Sequence, residues 1–106
     1  MYKQLVIVTS SIINEEILND MDYLILPSLD LISLYQGKIN NEEIDFDYLI
    51  IDHKITKRLM SEDGYIITNN YFETSIDNYF AFGSCIKSDK TINEQLETII
   101  NYIKEN

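Results

Sequence analysis

Four short apolar runs constrain this chain more than anything else in it. Leu5-Val6-Ile7-Val8, Tyr23-Leu24-Ile25-Leu26 and Tyr48-Leu49-Ile50-Ile51 are continuous and of strand length. Tyr79-Phe80-Ala81-Phe82 reads as a last strand that ends at Gly83. A strand with one wet face alternates polar and apolar residues. A run without alternation is apolar on both faces, which suits a parallel sheet covered on both sides. Strands that alternate with short helices predict an α/β fold: a small, open, mostly parallel sheet flanked by helices and joined by right-handed crossovers. The 106 residues suit one domain, 1–106, and no repeat, linker or low-complexity segment divides them.

The connecting segments carry the matching signals. Thr9-Ser10-Ser11 is a turn after the first run, and residues 13–18 fit a short helix. Ser28 caps a helix carrying Leu29, Leu31, Ile32, Leu34 and Tyr35, with Gly37 at its stop. Residues 38–43 read as an acidic, polar loop, and residues 54–60 as a brief helix or loop. Asp63-Gly64 and Asn69-Asn70 are turn signals. At the C-terminus, Thr91 and Glu94 form a capping-box pattern. Ile92, Leu96, Ile99, Ile100 and Ile103 then recur along one helical face, with Asn93, Glu97, Asn101 and Lys104 on the other, the pattern of a helix packed on a core.

Charge and rare residues exclude several functions. With 8 Lys+Arg against 18 Asp+Glu the net charge is -10. No clustered basic face exists to hold nucleic-acid phosphates or an anionic membrane surface. One cysteine, Cys85, excludes an internal disulfide, a CxxC redox pair and a multi-cysteine zinc site; the single His53 excludes a His-rich metal site. The three glycines, Gly37, Gly64 and Gly83, are too far apart for a GxGxxG or Walker-type loop. No apolar run approaches the roughly 18 residues of a membrane span. The expected setting is soluble and cytoplasmic.

One segment has a recognisable order. Asp63-Gly64-Tyr65-Ile66-Ile67-Thr68 is followed by Glu73-Thr74-Ser75 and then by Tyr79-Phe80-Ala81-Phe82-Gly83. This resembles the C-terminal, flavin-binding part of the thioredoxin-reductase family of FAD- and pyridine-nucleotide-dependent oxidoreductases. There the pattern runs Gly-Tyr-Ile, Glu-Thr-Ser, Phe-Ala-Ala-Gly-Asp, and an amphipathic helix follows. The resemblance covers residues 62–106. Asp47-Tyr48-Leu49-Ile50-Ile51 is a weaker continuation of it. Residues 1–45 match no nameable pattern, and their origin stays open.

The resemblance implies a Rossmann-like fragment in which Gly83 lets the backbone approach a flavin closely, as only a residue without Cβ allows. It makes Gly83 and Ser84 the vestigial FAD contacts. In the family an Asp at the Ser84 position hydrogen-bonds a ribityl hydroxyl. A serine hydroxyl replaces a charge-assisted bond of about 1.5–3 kcal/mol with a neutral one of about 1 kcal/mol. The family's Arg-Gln at the helix start corresponds to Asn93-Glu94. Where the family helix carries Ala and Gly, this one carries Leu96, Ile99 and Ile100. Both glycine-rich dinucleotide loops and the CxxC are missing.

Three readings follow. The first is a shrunken, non-catalytic relative that carries no cofactor and acts on a protein partner or as a homo-oligomer. The second is an FAD-contacting subunit of a split oxidoreductase. The third is an unrelated small α/β binding module, in which Asp45, Asp47 and Asp52 gather as a divalent-cation site through their oxygen ligands. Cys85, near the start of the last helix, is a candidate reactive thiol, because a helix N-terminus lowers a thiol's pKa. His53 stands at a strand's C-terminal end, where α/β sites form, but with no Ser or Cys partner identifiable it reads as a loop His. Tyr65, Tyr71 and Tyr79 read as half-buried strand or turn residues.

Overall fold

A computed structural model of the chain describes residues 4–26, 46–52 and 63–105. All four apolar runs are strands. β1 is Gln4–Val8, β2 Asp22–Leu26, β3 Tyr48–Ile51 and β4 Tyr79–Ala81. They form one four-stranded sheet in the order β2-β1-β3-β4, with every pair parallel. The α/β fold read from the runs is the fold observed. The helix around Leu29–Tyr35, the loop at residues 38–43 and the segment 54–60, with His53 and Asp45, lie outside the described residues.

Lack of alternation has the expected consequence in the middle of the sheet. Leu5, Val6, Ile7 and Val8 of β1 and Leu49, Ile50 and Ile51 of β3 are fully buried. Each such side chain contributes about 1.5–3 kcal/mol on leaving water. β2 differs. It lies at the sheet edge, and Tyr23 and Leu24 are 36% and 37% exposed. An apolar run reports strand type, but position in the sheet depends on neighbours that the run does not encode.

The last helix, α1, spans Ile92–Glu105. Its capping box is formed as read: Thr91 N donates to Glu94 Oε1 at 3.3 Å, and Glu94 N to Thr91 Oγ1 at 3.2 Å. Leu96, Ile99, Ile100 and Ile103 are buried in the core with Leu18, Phe80 and Phe82. The short helix expected at residues 13–18 is a single 3-10 turn, Glu15–Leu18. Asn14 Oδ1 accepts from Glu16 N at 3.2 Å, and Ile17 N donates to Asn14 O at 3.2 Å; this i→i+3 closure leaves no room for an α-helical ladder.

Between β3 and α1 the chain turns at Asp63-Gly64, with Gly64 at φ +83, and again at Asn69, whose Oδ1 accepts from the backbone N–H of Tyr71 and Glu73. Residues 72–74 then fold back along β4. Thr74 N donates to Tyr79 O at 2.8 Å and Ala81 N to Phe72 O at 3.0 Å, so the chain itself covers the outer edge of β4.

Candidate functional site

The strand order fixes where a site belongs. From β1 the chain moves outward to β2, then returns past β1 to β3 and on to β4. The direction reverses between β1 and β3. In open parallel sheets such a reversal leaves a crevice outside the C-terminal strand ends, and ligands bind there. The residues at those two strand ends are Thr9 and Asp52.

Asp52 is the centre of that position. Its backbone N–H donates to Val8 O at 2.8 Å and carries the β1–β3 ladder one step past the strands. Its half-buried carboxylate reaches residues that follow β1 and β4. Oδ2 accepts from the Thr9 hydroxyl at 3.0 Å and from the Ser11 hydroxyl at 3.4 Å. Oδ1 accepts from Ser84 N at 3.2 Å. Thr9 is buried, and its Oγ1 also accepts from Ser11 N at 3.0 Å, which pins the turn after β1. One carboxylate thus ties together the ends of β1, β3 and β4.

Gly83 shows why that residue has no side chain. Its φ is +75, and a Cβ placed there would collide with the Asp52 carboxylate, meeting Oδ1 first. Gly83 N donates to Gln95 Oε1 at 2.6 Å. Gln95 is 2% exposed, and its Nε2 donates to Lys90 O at 2.9 Å, so both ends of this buried amide are satisfied. The close backbone approach implied for Gly83 exists, but what approaches is a carboxylate of the same chain. The N–H groups of Gly83 and Ser84 are engaged internally, and the apolar face of α1 is packed with Leu96, Ile99 and Ile100. As arranged, these residues do not fit the flavin contact that the resemblance implies.

Comparison of the chain with protein-family models, with curated proteins and with solved structures found no match.

The remaining candidate residues separate. Cys85 ends the 3-10 turn Gly83–Cys85, ahead of α1, and is 1% exposed. Its Sγ faces Phe82 O at 3.0 Å and Ile51 O at 3.7 Å. Reagents in solution have no approach to it in this conformation. Asp47 and Asp52 stand at opposite ends of β3, about 16 Å apart at the usual rise per residue. Asp47 Oδ2 accepts from Gln4 N at 2.8 Å. The two carboxylates cannot share a cation, and no cluster of metal-ligating side chains occurs among the described residues. Asn93 and Glu94, which the resemblance sets against the family's Arg-Gln, serve local structure: Asn93 Oδ1 accepts from Asn14 N at 2.9 Å, and Glu94 closes the capping box. Tyr65 and Tyr79 are half-buried, while Tyr71 is 49% exposed and stacks on Tyr102 at 4.6 Å.

Sequence reading did not find Thr9 or Gln95. Gln95 left a signal: it falls on the apolar stripe of α1, and a polar residue there must find a buried partner. Thr9 follows the apolar run of β1 directly, and nothing local distinguishes it from an ordinary turn residue.

Proposed function

We propose that this chain is a non-catalytic α/β domain, built on the sheet of a dinucleotide-binding fold, that works by binding a protein partner. The observation that carries the reading is the Asp52 carboxylate at the β1/β3 reversal. In doubly wound folds a glycine-rich turn after the first strand and the helix N-terminus behind it receive the pyrophosphate. Here that turn is Thr9-Ser10-Ser11. It leads into a four-residue 3-10 turn that opens with Glu15 and Glu16, and its Thr9 and Ser11 hydroxyls are bonded to Asp52.

The size of the conflict is considerable. A phosphate charge within 4 Å of a carboxylate, at the effective dielectric of a protein surface, is repelled by about 4 kcal/mol. Since 1.4 kcal/mol is tenfold in affinity, that repulsion removes roughly three orders of magnitude. The electron relay of the thioredoxin-reductase family would also need a dithiol, and the chain has one cysteine. What remains is a scaffold with an acidic surface, suited to association.

The test is an absorbance spectrum of the purified protein over roughly 300–550 nm, with and without added FAD, together with calorimetric titration of FAD and of a nicotinamide dinucleotide. The expected result is no flavin band and no binding heat. A stoichiometric yellow flavin on the isolated chain overturns the reading. Flavin present only on a complex drawn from the source cell also overturns it, in favour of a subunit that supplies Gly83 and Ser84 to a partner's cofactor.

A further inference from the structure

The two edges of the sheet are treated differently. The outer edge of β4 is closed by residues 72–74. Among the described residues nothing pairs with the outer edge of β2. Leu26 O accepts from Thr9 N, so Leu26 faces β1. By the two-residue period of a strand, Leu24 and Asp22 also face β1, and the N–H and C=O groups of Tyr23 and Ile25 point outward. Edge strands are usually blunted by lysine, proline, a bulge or very short length. β2 runs in unbroken register with β1 over five residues, four of them apolar, and has none of those within it.

The surroundings are acidic. Glu15, Glu16, Asp20 and Asp22 are exposed and lie on β2 or on the turn that leads into it. Asn19, Asp20, Met21 and Asp22 line an open cavity of about 290 Å³ at the N-terminal end of the strand. Among the described residues, the cation paired with this group is Lys104, whose Nζ is 3.7 Å from Asp20 Oδ2. A second copy placed on this edge would bring the same four carboxylates, and a further net charge of -10, against the first.

We propose that the β2 edge is a docking site for an extended, basic segment of another protein, which adds to the sheet as a fifth strand. Main-chain groups of Tyr23 and Ile25 supply the pairing. Leu24 and the ring of Tyr23 supply apolar contact, and the four carboxylates select lysine or arginine beside the paired residues. This deepens the partner-binding reading and rests on it. Its test does not involve flavin, so either can fail alone.

The experiment uses the full chain, labelled with 15N, and a short synthetic peptide that alternates lysine with valine. The same peptide with glutamate in place of lysine is the control. In the free chain the amides of Tyr23 and Ile25 exchange quickly with solvent. The lysine peptide slows that exchange, shifts the β2 resonances, and loses affinity as salt is added. Tyr23→Pro deletes an outward N–H without touching the β1 ladder and weakens binding by about tenfold or more. Asp22→Asn with Glu16→Gln weakens it severalfold and leaves the edge intact, which guards against a misfolded proline variant. Slow exchange at Tyr23 and Ile25 in the free chain overturns the proposal. So do equal binding of the glutamate peptide, absence of any shift with the lysine peptide, and a self-association that Tyr23→Pro abolishes.

Discussion

Gly83→Ala tests the arrangement at the strand ends most directly. Two costs arise, and they can be separated. An alanine held at φ +75 is in the left-handed region, at about 1–2 kcal/mol. Its Cβ also needs the volume that the Asp52 carboxylate fills. The carboxylate cannot move far without giving up bonds from Ser84 N, the Thr9 hydroxyl or the Ser11 hydroxyl. Loss of one charge-assisted bond costs about 1.5–3 kcal/mol. Gly83→Ala is therefore expected to cost about 2.5–5 kcal/mol, a large share of a typical stability of 5–15 kcal/mol. Asp52→Ala removes all three atoms that a Cβ at position 83 meets. In that background Gly83→Ala should cost only the backbone part, about 1–2 kcal/mol. Urea unfolding of the two single variants, the double variant and the parent, followed by far-ultraviolet circular dichroism, closes a double-mutant cycle. The expected coupling is about 1.5–3 kcal/mol. If the two costs add within about 0.5 kcal/mol, the carboxylate does not occupy the space beside Gly83 and the reasoning fails.

Three further outcomes are expected. Gln95→Leu leaves Gly83 N–H and Lys90 C=O without their partner and should lower the unfolding free energy by about 1–3 kcal/mol, read from the same urea curves. Asn78 holds φ +68; Asn78→Ala should cost about 1 kcal/mol and Asn78→Gly only a few tenths, so equal midpoints for the two would count against that backbone conformation. The phenol of Tyr23 is held above its ordinary value of 10.0, first by its hydrogen bond to Glu15, then by desolvation and by the Glu15 charge. Because the folded pKa is the higher one, this stabilisation is present below the unfolded value and fades as pH rises through the folded one. NMR titration of ring-labelled tyrosine should show Tyr23 ionising late, and Glu15→Ala should bring it back toward 10.0.

The fold was legible because its signals are local. Leu5-Val6-Ile7-Val8 and Tyr48-Leu49-Ile50-Ile51 need no partner to be recognised as two-sided strands. The Thr91 and Glu94 cap, with the Ile and Leu stripe behind it, specifies α1 within a single segment. β2 was legible as a strand but not as an edge, because Tyr23-Leu24-Ile25-Leu26 is as apolar as the runs in the sheet centre. The site was legible in part. Gly83 and Ser84 resemble a flavin-contacting turn in sequence, and they do stand at the strand ends. In sequence Asp52 groups with Asp45 and Asp47 because they are close along the chain. Its real partners, Thr9, Ser11 and Ser84, are 43, 41 and 32 positions away. Only the parallel registers of β1 against β3 and of β3 against β4 make them neighbours, and register is a property of the folded sheet.

The same registers account for a glycine at position 83 by packing alone. In a dinucleotide-binding turn, glycine makes room for a cofactor that arrives from outside. Here the room is taken by a carboxylate that the sheet itself delivers, since Asp52 follows β3 directly and β3 lies between β1 and β4. Once that carboxylate is in place, glycine is required for folding alone. A serine hydroxyl after β1 and a backbone N–H after β4 become its hydrogen-bond donors rather than donors to a phosphate. The turn can thus keep the outline of a cofactor site on packing grounds, and resemblance at Gly83 and Ser84 carries less functional weight than the identity of the residue facing them. Exchange at Asp52 is the way to weigh the two. Asp52→Ala removes the occupant and the negative charge together, opens space beside Gly83 and leaves Ser84 N–H without its acceptor. If the outline alone conferred affinity, Asp52→Ala would take up FAD in the spectral titration. The expected result is a destabilised protein that still shows no flavin band, because the glycine-rich turn that holds a pyrophosphate is absent after β1.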